Sequence, residues 1–324
     1  MKRYGHGLVP GRFHPPHAGH HHLVRTARDR CERLTVLVRG TSAEPLPLED
    51  RVAWMREIHP DVLVVGGERY DGPEPVDAVF AAEPHGFTSE PYEDELGRGL
   101  GAETVLVDCE PPLSDTAVRE DPAAFWDFLE PPVRAALTLR VVVLGAESTG
   151  TTTMARALAD HYRRRGGVWA RTRCVPEYEG GSGALKLAHR SSDLPVLAQR
   201  RAEREEEAAR DGSPVLFCDT DAFAATIWHE RRFGTAGPAV GEIAAHGRQH
   251  LWLLTDHRGI DCADDTERLR PWMTARFLTQ LARTGRRTAV LTGPHEERLA
   301  AAVAAVDALL AGGPHLTEPQ PERR

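Results

Sequence analysis

Two stretches of this chain carry residue types and spacings suited to chemistry. The first is residues 11–20, GRFHPPHAGH, directly after an apolar run, which sets His17 and His20 on either side of Gly19. Where a strand gives way to a helix, free backbone N–H groups and the helix dipole favour phosphate. Imidazoles there can donate hydrogen bonds to a triphosphate and to the charge that develops as it is displaced. The second is residues 145–153, GAESTGTTT, between the apolar run 139–144 and MARALADHY. A loop that cradles phosphates reads G-x-x-x-x-G-K-[ST]. Gly145, Ser148, Gly150, Thr152 and Thr153 keep the glycines and hydroxyls, but Thr151 stands where the lysine belongs. Backbone N–H groups can still hold a polyphosphate there, and Thr152 occupies the place of the hydroxyl that ligates magnesium. The absent cation is a real loss: a unit charge pair at about 4 Å contributes about 4 kcal/mol at an effective dielectric near 20.

Other side chains fall where they could complete these sites. Asp219 and Asp221, in VLFCDTDAFAATIW, end an apolar strand, where a carboxylate can hold magnesium or a substrate hydroxyl. Glu177 and Tyr178 end an earlier strand, and DDTERLRPWMTARF offers Arg268 and Arg270 on a segment able to close over phosphates. Each has a plainer reading, Asp219 as a helix cap and the arginines as surface charges. His14, His21 and His22 are expected to be exposed, and Trp54, on an amphipathic helix, is expected in the core. A metal at the histidine cluster lacks a carboxylate or cysteine at suitable local spacing.

The elements that must position these residues follow from apolar periodicity. GLVPGRF, LTVLVRG, DAVFAAE and TVLVDC alternate with helical stretches such as HHLVRTARDRC and RVAWMREI, which predicts a parallel sheet with helices on both faces. At LEPPVRAALT two prolines break the pattern and the alternation restarts. Strands are expected at 140–144, 168–175, 215–218, 250–254 and 287–291. LAQRRAEREEEAAR between them reads as a helix whose charge run is a solvated face. The expected organisation is two doubly wound α/β domains, residues 1–137 and 138–312, with a frayed polar tail at 313–324.

Composition narrows the function. With a net charge of -8, the chain has no general electrostatic reason to bind nucleic acid or an anionic membrane. No apolar run approaches the roughly 20 residues that span a bilayer, and the start has no signal-peptide core, so a soluble, cytoplasmic protein is expected. The five cysteines are far apart, odd in number and without C-x-x-C spacing, which argues against disulfides and zinc. Lys2 and Lys186 are the only lysines, yet position 151 holds threonine rather than the arginine that a simple bias would give.

GRFHPPHAGH resembles the G-x-F-x-P-x-H-x-G-H signature of the nucleotidyltransferase α/β phosphodiesterase superfamily, and LSDTAVR at 113–119 resembles its second signature, I-S-x-T-x-x-R. Arg51, in LEDRVAWMREI, resembles an arginine of nicotinamide-mononucleotide adenylyltransferases. FTSEPYEDELGRGLGA and FWDFLEPPVR are similar to the bifunctional NadR type. In the second half, the phosphate loop, E-Y, D-T-D and an arginine-bearing lid resemble, in order and spacing, the ribosylnicotinamide kinase domain of that type.

The resemblance implies attack by the phosphate of nicotinamide mononucleotide on the α-phosphorus of ATP, giving NAD and pyrophosphate. Positioning and charge neutralisation would supply the rate. It implies that His17 and His20 hold the ATP phosphates, with Gly11, Phe13 and Gly19 shaping the loop, Arg12, Arg51 and Arg119 binding phosphate, and Ser114 and Thr116 on the ATP loop. For the second half it implies that Asp219 and Asp221 handle magnesium and the riboside, Glu177 is a candidate base, and Arg268 and Arg270 belong to a lid. Mg²⁺ and ATP are expected at both sites. Departures are Thr151, a segment EYEGGSGAL without the arginine that follows E-Y, and a short CEPP link. Two alternatives stay open: an adenylyltransferase joined to a silent second domain, and a second domain that senses ATP or NAD. No repressor function is expected, because the first strand begins almost at Met1, and the sequence leaves homo-oligomer formation open.

Overall fold

The computed structural model describes residues 2–41, 44–83, 92–109, 113–177, 190–260 and 267–313. The chain divides into two compact units, the first running to Val133 and the second from Arg134. Among the described residues each unit holds one five-stranded, wholly parallel sheet.

In the first unit, β1 (Tyr4–Gly11), α1 (Ala18–Arg30), β2 (Cys31–Val38), α2 (Leu48–Ile58), β3 (Leu63–Gly66), β4 (Ala78–Ala82), α3 (Tyr92–Leu100) and β5 (Glu103–Val107) follow in turn, then the short α4 (Asp115–Glu120). The sheet order is β3-β2-β1-β4-β5. Alternate residues serve opposite faces, as the period of two requires. Val9, Val36, Val38 and Phe80 pack against Leu23, Val24 and Ala27 of α1 and Val52 and Met55 of α2. Leu8, Leu37 and Val79 pack on the other face, with Leu96 and Leu100 of α3 beside them. Burial on both faces explains why these strands read as unbroken apolar runs. The order of strands reverses between β1 and β4, and ligands of open α/β sheets bind outside the carboxyl ends of strands at such a point. Trp54 is in the core, as expected. The strand β3, absent from the sequence-based expectation, is a short edge strand with half of its residues open to solvent.

α5 (Pro131–Leu137) lies across the point where the units divide. The second unit contains β6 (Leu139–Gly145), α6 (Thr151–Arg163), β7 (Arg173–Val175), α7 (Asp193–Asp211), β8 (Val215–Asp219), α8 (Ala222–Phe233), α9 (Pro238–Ala245), β9 (Gln249–Thr255), α10 (Arg270–Arg283), β10 (Thr288–Leu291) and α11 (His295–Gly312). Its sheet order is β10-β9-β6-β8-β7. Leu139, Val141 and Val143 of the central β6 face α6 and α11. Val142 and Leu144 face the cluster built by α7, α8, α9 and α10.

Two expectations are corrected here. Residues 168–175 were expected as one strand, but Gly167–Arg171 is a 3-10 helix and only Arg173–Val175 pairs. Gly166 and Gly167 both take positive φ, 72° and 55°, which breaks the extended backbone, and Thr172 Oγ1 closes the turn on Trp169 O at 2.6 Å. The charge run of α7 is not wholly solvated: Arg201 and Glu205, one turn apart, are buried and paired at 3.2 Å.

Candidate functional sites

The first site forms where β1 ends. Gly11 closes the strand, because a Cβ there would stand 3.0 Å from the Phe13 ring. Phe13 is fully buried with φ of 50°, turning the chain between the end of β1 and the start of α1. His17 then takes extended backbone as the N-cap of α1, and its backbone N–H donates to Nδ1 of His20 one turn on, at 3.3 Å. The two imidazoles stack, with centroids 3.8 Å apart. Gly19 between them is buried. Burial, with His17 adding to it, lowers the His20 ring to about 3, so it is neutral at pH 7.

The second signature supplies what the local spacing lacked. Asp115, the first residue of α4, brings Oδ1 to 2.9 Å from His17 Nε2 and 3.3 Å from His20 Nε2. These three side chains form a group of possible metal-ligating atoms, with the carboxylate supplied from 98 positions along the chain rather than from local spacing. Asp115 went unrecognised because it fills the variable position of L-S-D-T. On the same helix Arg119 donates to His14 O at 2.9 Å and to Thr116 Oγ1 at 3.0 Å, tying the two signatures together. Arg12, Ser114 and Thr116 are exposed around this cluster.

Arg51 is placed differently from the expected phosphate ligand. It is fully buried, and it donates to Leu46 O at 2.9 Å, Arg12 O at 2.6 Å and Arg39 O at 2.9 Å, and to the Glu44 carboxylate. It holds the loops after β1 and β2 from behind. His14 and His21, expected exposed, are buried; His22 alone of the three faces solvent. His21 Nδ1 meets His59 Nε2 at 3.0 Å. Burial first, then the paired ring for His21 and Arg25 for His59, lowers His21 to about 2 and His59 to about 4. Both rings are depressed below the unfolded value near 6.5. Their neutral pairing therefore stabilises the fold above that pH and is lost as pH falls toward 4. Each pH unit in that window costs about 1.4 kcal/mol per histidine. The urea midpoint of the first unit is expected to drop between pH 7 and pH 5, and a His21→Leu/His59→Leu variant should flatten that dependence.

The second site surrounds the loop after β6. Gly145 ends the strand with Thr149 and Thr255 hydroxyls against it, so that a Cβ would sit 2.6 Å from Thr149 Oγ1 and overlap Thr255 Oγ1. Ser148 and Gly150 take left-handed φ of 58° and 87°, which folds the loop before α6 starts at Thr151. Residues 145–148 and 150–153 line a cavity of about 230 Å³ together with Glu177 after β7, Asp219 and Thr220 after β8, and Trp228 of α8. Thr152 Oγ1 donates to Asp219 Oδ2 at 2.6 Å. A hydroxyl and a carboxylate this close are a pair of hard oxygen donors suited to Mg²⁺. Thr220, a β-branched residue, holds φ of 74° at the cavity wall, and strained backbone of this kind gathers at functional sites. Trp228 and Thr220 were missed by the sequence reading; DTD followed by an apolar helix was the available signal.

Among the described residues no lysine or arginine lines this cavity, while Glu147, Glu177 and Asp219 do. Glu147 is paired with Arg231 of α8 at 3.0 Å, and that guanidinium lies 4.9 Å from the Trp228 ring centroid. Asp221 does not face the cavity: it caps α8 by accepting from Ala224 N at 2.8 Å and accepts from Trp252 Nε1 at 2.9 Å. Of the expected lid arginines, Arg268 is exposed on a 3-10 turn and Arg270 is buried at the start of α10, donating to Ile260 O at 3.1 Å. Residues 261–266, with the first three residues of the expected lid, lie outside the described residues, as do Tyr178, the rest of EYEGGSGAL, most of CEPP, Cys262 and the tail after Gly313.

Arg201 frames this site. It donates to Asp219 O at 2.6 Å, Thr220 O at 3.1 Å, Pro176 O at 3.0 Å and Glu177 O at 3.2 Å, clamping the carboxyl ends of β7 and β8. Arg201→Ala would leave Glu205 buried without its cation, which costs about 3–5 kcal/mol. A corresponding fall in the thermal midpoint of the second unit is expected. Arg201→Met/Glu205→Leu should recover much of that stability without restoring the clamp.

Comparison with known proteins matches each half of the chain to a family. The family described as Cytidylyltransferase-like matches residues 8–72, and the family described as AAA domain matches residues 140–298. Two curated relatives, each called Trifunctional NAD biosynthesis/regulator protein NadR, are similar over 286 residues. The Salmonella typhimurium protein is 25% identical and the Escherichia coli protein 24%, over 78% of this chain and 68% of theirs. Two solved structures share the fold end to end. A NadR protein in complex with NR superposes with a TM-score of 0.74 at 18% identity, covering 100% of this chain and 99% of that one. A NadR protein with NAD and AMP-PNP gives 0.71 at 20% identity, with the same coverage. No described helix is long and apolar enough to cross a membrane.

Proposed function

We propose, for a chain that belongs to the bifunctional NadR type in both of its halves, that it makes NAD from nicotinamide riboside in two ATP-dependent steps. The second unit phosphorylates the riboside, and the first transfers AMP from ATP to the resulting mononucleotide, releasing pyrophosphate. The observation that carries this reading is the coincidence, at the carboxyl end of each sheet, of a phosphate-binding turn with polar groups from a distant strand end. These are His17 and His20 with α4 in the first unit, and Thr152 with Asp219 and Glu177 in the second.

In the first unit, His17 and His20 present ring N–H groups to the triphosphate beside the free N–H groups of α1. Arg12, Ser114 and Thr116 lie at the rim, and Arg119 keeps α4 on the histidine loop. The mononucleotide phosphate attacks in line, and these donors stabilise charge as it moves onto the departing pyrophosphate. In the second unit the loop N–H groups hold the β- and γ-phosphates of ATP. Glu177 is placed to accept the proton of the riboside hydroxyl, and Trp228 offers a flat wall for a ring. Thr152 and Asp219 would hold Mg²⁺, which neutralises the phosphates. Arg231, paired with Glu147, and Arg298, which donates to Thr149 O at 3.4 Å, are guanidiniums held against the loop that could replace the missing lysine, with Arg268 and Arg270 on the expected lid segment. Assaying ADP and pyrophosphate separately tests the assignment: riboside should drive ADP formation and mononucleotide pyrophosphate formation. A protein that releases pyrophosphate but never ADP would instead have a second unit that binds nucleotide without turnover.

A further inference from the structure

The phosphate site of the first unit already contains an anion. Asp115 Oδ1 lies within hydrogen-bond reach of both ring nitrogens, 2.9 Å from His17 and 3.3 Å from His20. The His20 tautomer is fixed by its surroundings: its Nδ1 accepts the backbone N–H of His17, so the ring proton is on Nε2, facing the carboxylate. His17 Nε2 likewise points its bond at Asp115, while its Nδ1 is buried with no acceptor beside it.

These tautomers decide between a cation and an anion as the ligand of the cluster. A metal on the two Nε2 atoms would move each ring proton to Nδ1. In His20 that proton would meet the N–H of His17, and in His17 it would be buried without a partner. Ligating histidines need an acceptor for the other N–H, and neither ring has one. Donors converging on one oxygen suit a phosphate.

We propose that Asp115 stands in for a phosphate oxygen: in the unliganded protein its carboxylate holds the histidine pair ready, and polyphosphate enters by displacing it. This rests on the adenylyltransferase reading of the first unit. Displacement need not release α4, because Arg119 still bonds His14 O and Thr116 Oγ1. A rotation of the Asp115 side chain, which is partly open to solvent, is enough. A carboxylate left near the incoming phosphates also repels them, so position 115 sets how tightly the free enzyme takes ATP.

The test is a titration of metal-free ATP followed by imidazole ¹H–¹⁵N correlation spectra, in which His17 and His20 report this site apart from the second unit. Asp115→Asn and Asp115→Ser should each bind about tenfold more tightly than the parent, and both should lose the downfield Nε2–H signal of the charge-assisted bond. The gain should vanish when His20→Ala is added. Equal or weaker binding in both variants would overturn the proposal while leaving the adenylyltransferase reading intact. So would Co²⁺ binding by the parent with a visible d–d spectrum that depends on Asp115. If ATP perturbs neither histidine in any of these proteins, the adenylyltransferase reading itself fails, and the proposal with it.

Discussion

His20→Ala is expected to lower NAD formation from nicotinamide mononucleotide by about 10²- to 10³-fold, the usual loss when one preorganised donor to a transition-state anion is removed. Riboside phosphorylation should be unchanged. The expectation follows from His20's place: it stacks on His17, takes its orientation from the His17 N–H, and aims Nε2 at the position of the anion. The side chain is partly open to solvent, 17% exposed, so its loss should leave the fold intact. Separate measurement of pyrophosphate and ADP decides the matter; a parallel fall in both would contradict independent sites.

Thr151→Lys is expected to raise riboside kinase activity by about 10²-fold. The cavity around the phosphate loop is lined by three carboxylates and, among the described residues, by no cation. A lysine at the first position of α6 restores a charge contribution of about 4 kcal/mol at contact distance, reduced by the guanidiniums already held against the loop, Arg231 on Glu147 and Arg298 on Thr149 O. Steady-state rates at saturating riboside, with ATP varied, measure it. Lower activity in the variant would mean that the pocket has been rebuilt around the threonine.

Much of this architecture was legible because parallel strands buried on both faces leave long apolar runs, and because turns that bind phosphate need glycine and hydroxyl residues at fixed spacing. GRFHPPHAGH and GAESTGTTT therefore marked two turns, and each follows the central strand of its sheet. What stayed hidden depended on distance along the chain. Asp115 reaches His17 across 98 positions, a relation no local spacing displays. Arg201 and Glu205 sit in a run of charges that reads as solvated, and only the fold turns that one pair inward. Arg51 and Asp221 show the converse, with residues of suitable type at suitable positions engaged by carbonyls, an indole and a helix end. The strand expected across 168–175 was shortened by the 3-10 turn over Gly167–Arg171, which starts from two glycines with positive φ that composition does not reveal.

Two working sites acting in series would carry nicotinamide riboside through to NAD, and product analysis by mass spectrometry distinguishes this from a single working site. Purified protein with Mg-ATP is given isotopically labelled nicotinamide riboside in one reaction and labelled mononucleotide in another. Labelled NAD is predicted from both, with labelled mononucleotide appearing transiently in the first. NAD from the mononucleotide alone would contradict the account and leave an adenylyltransferase joined to a domain that does not phosphorylate the riboside.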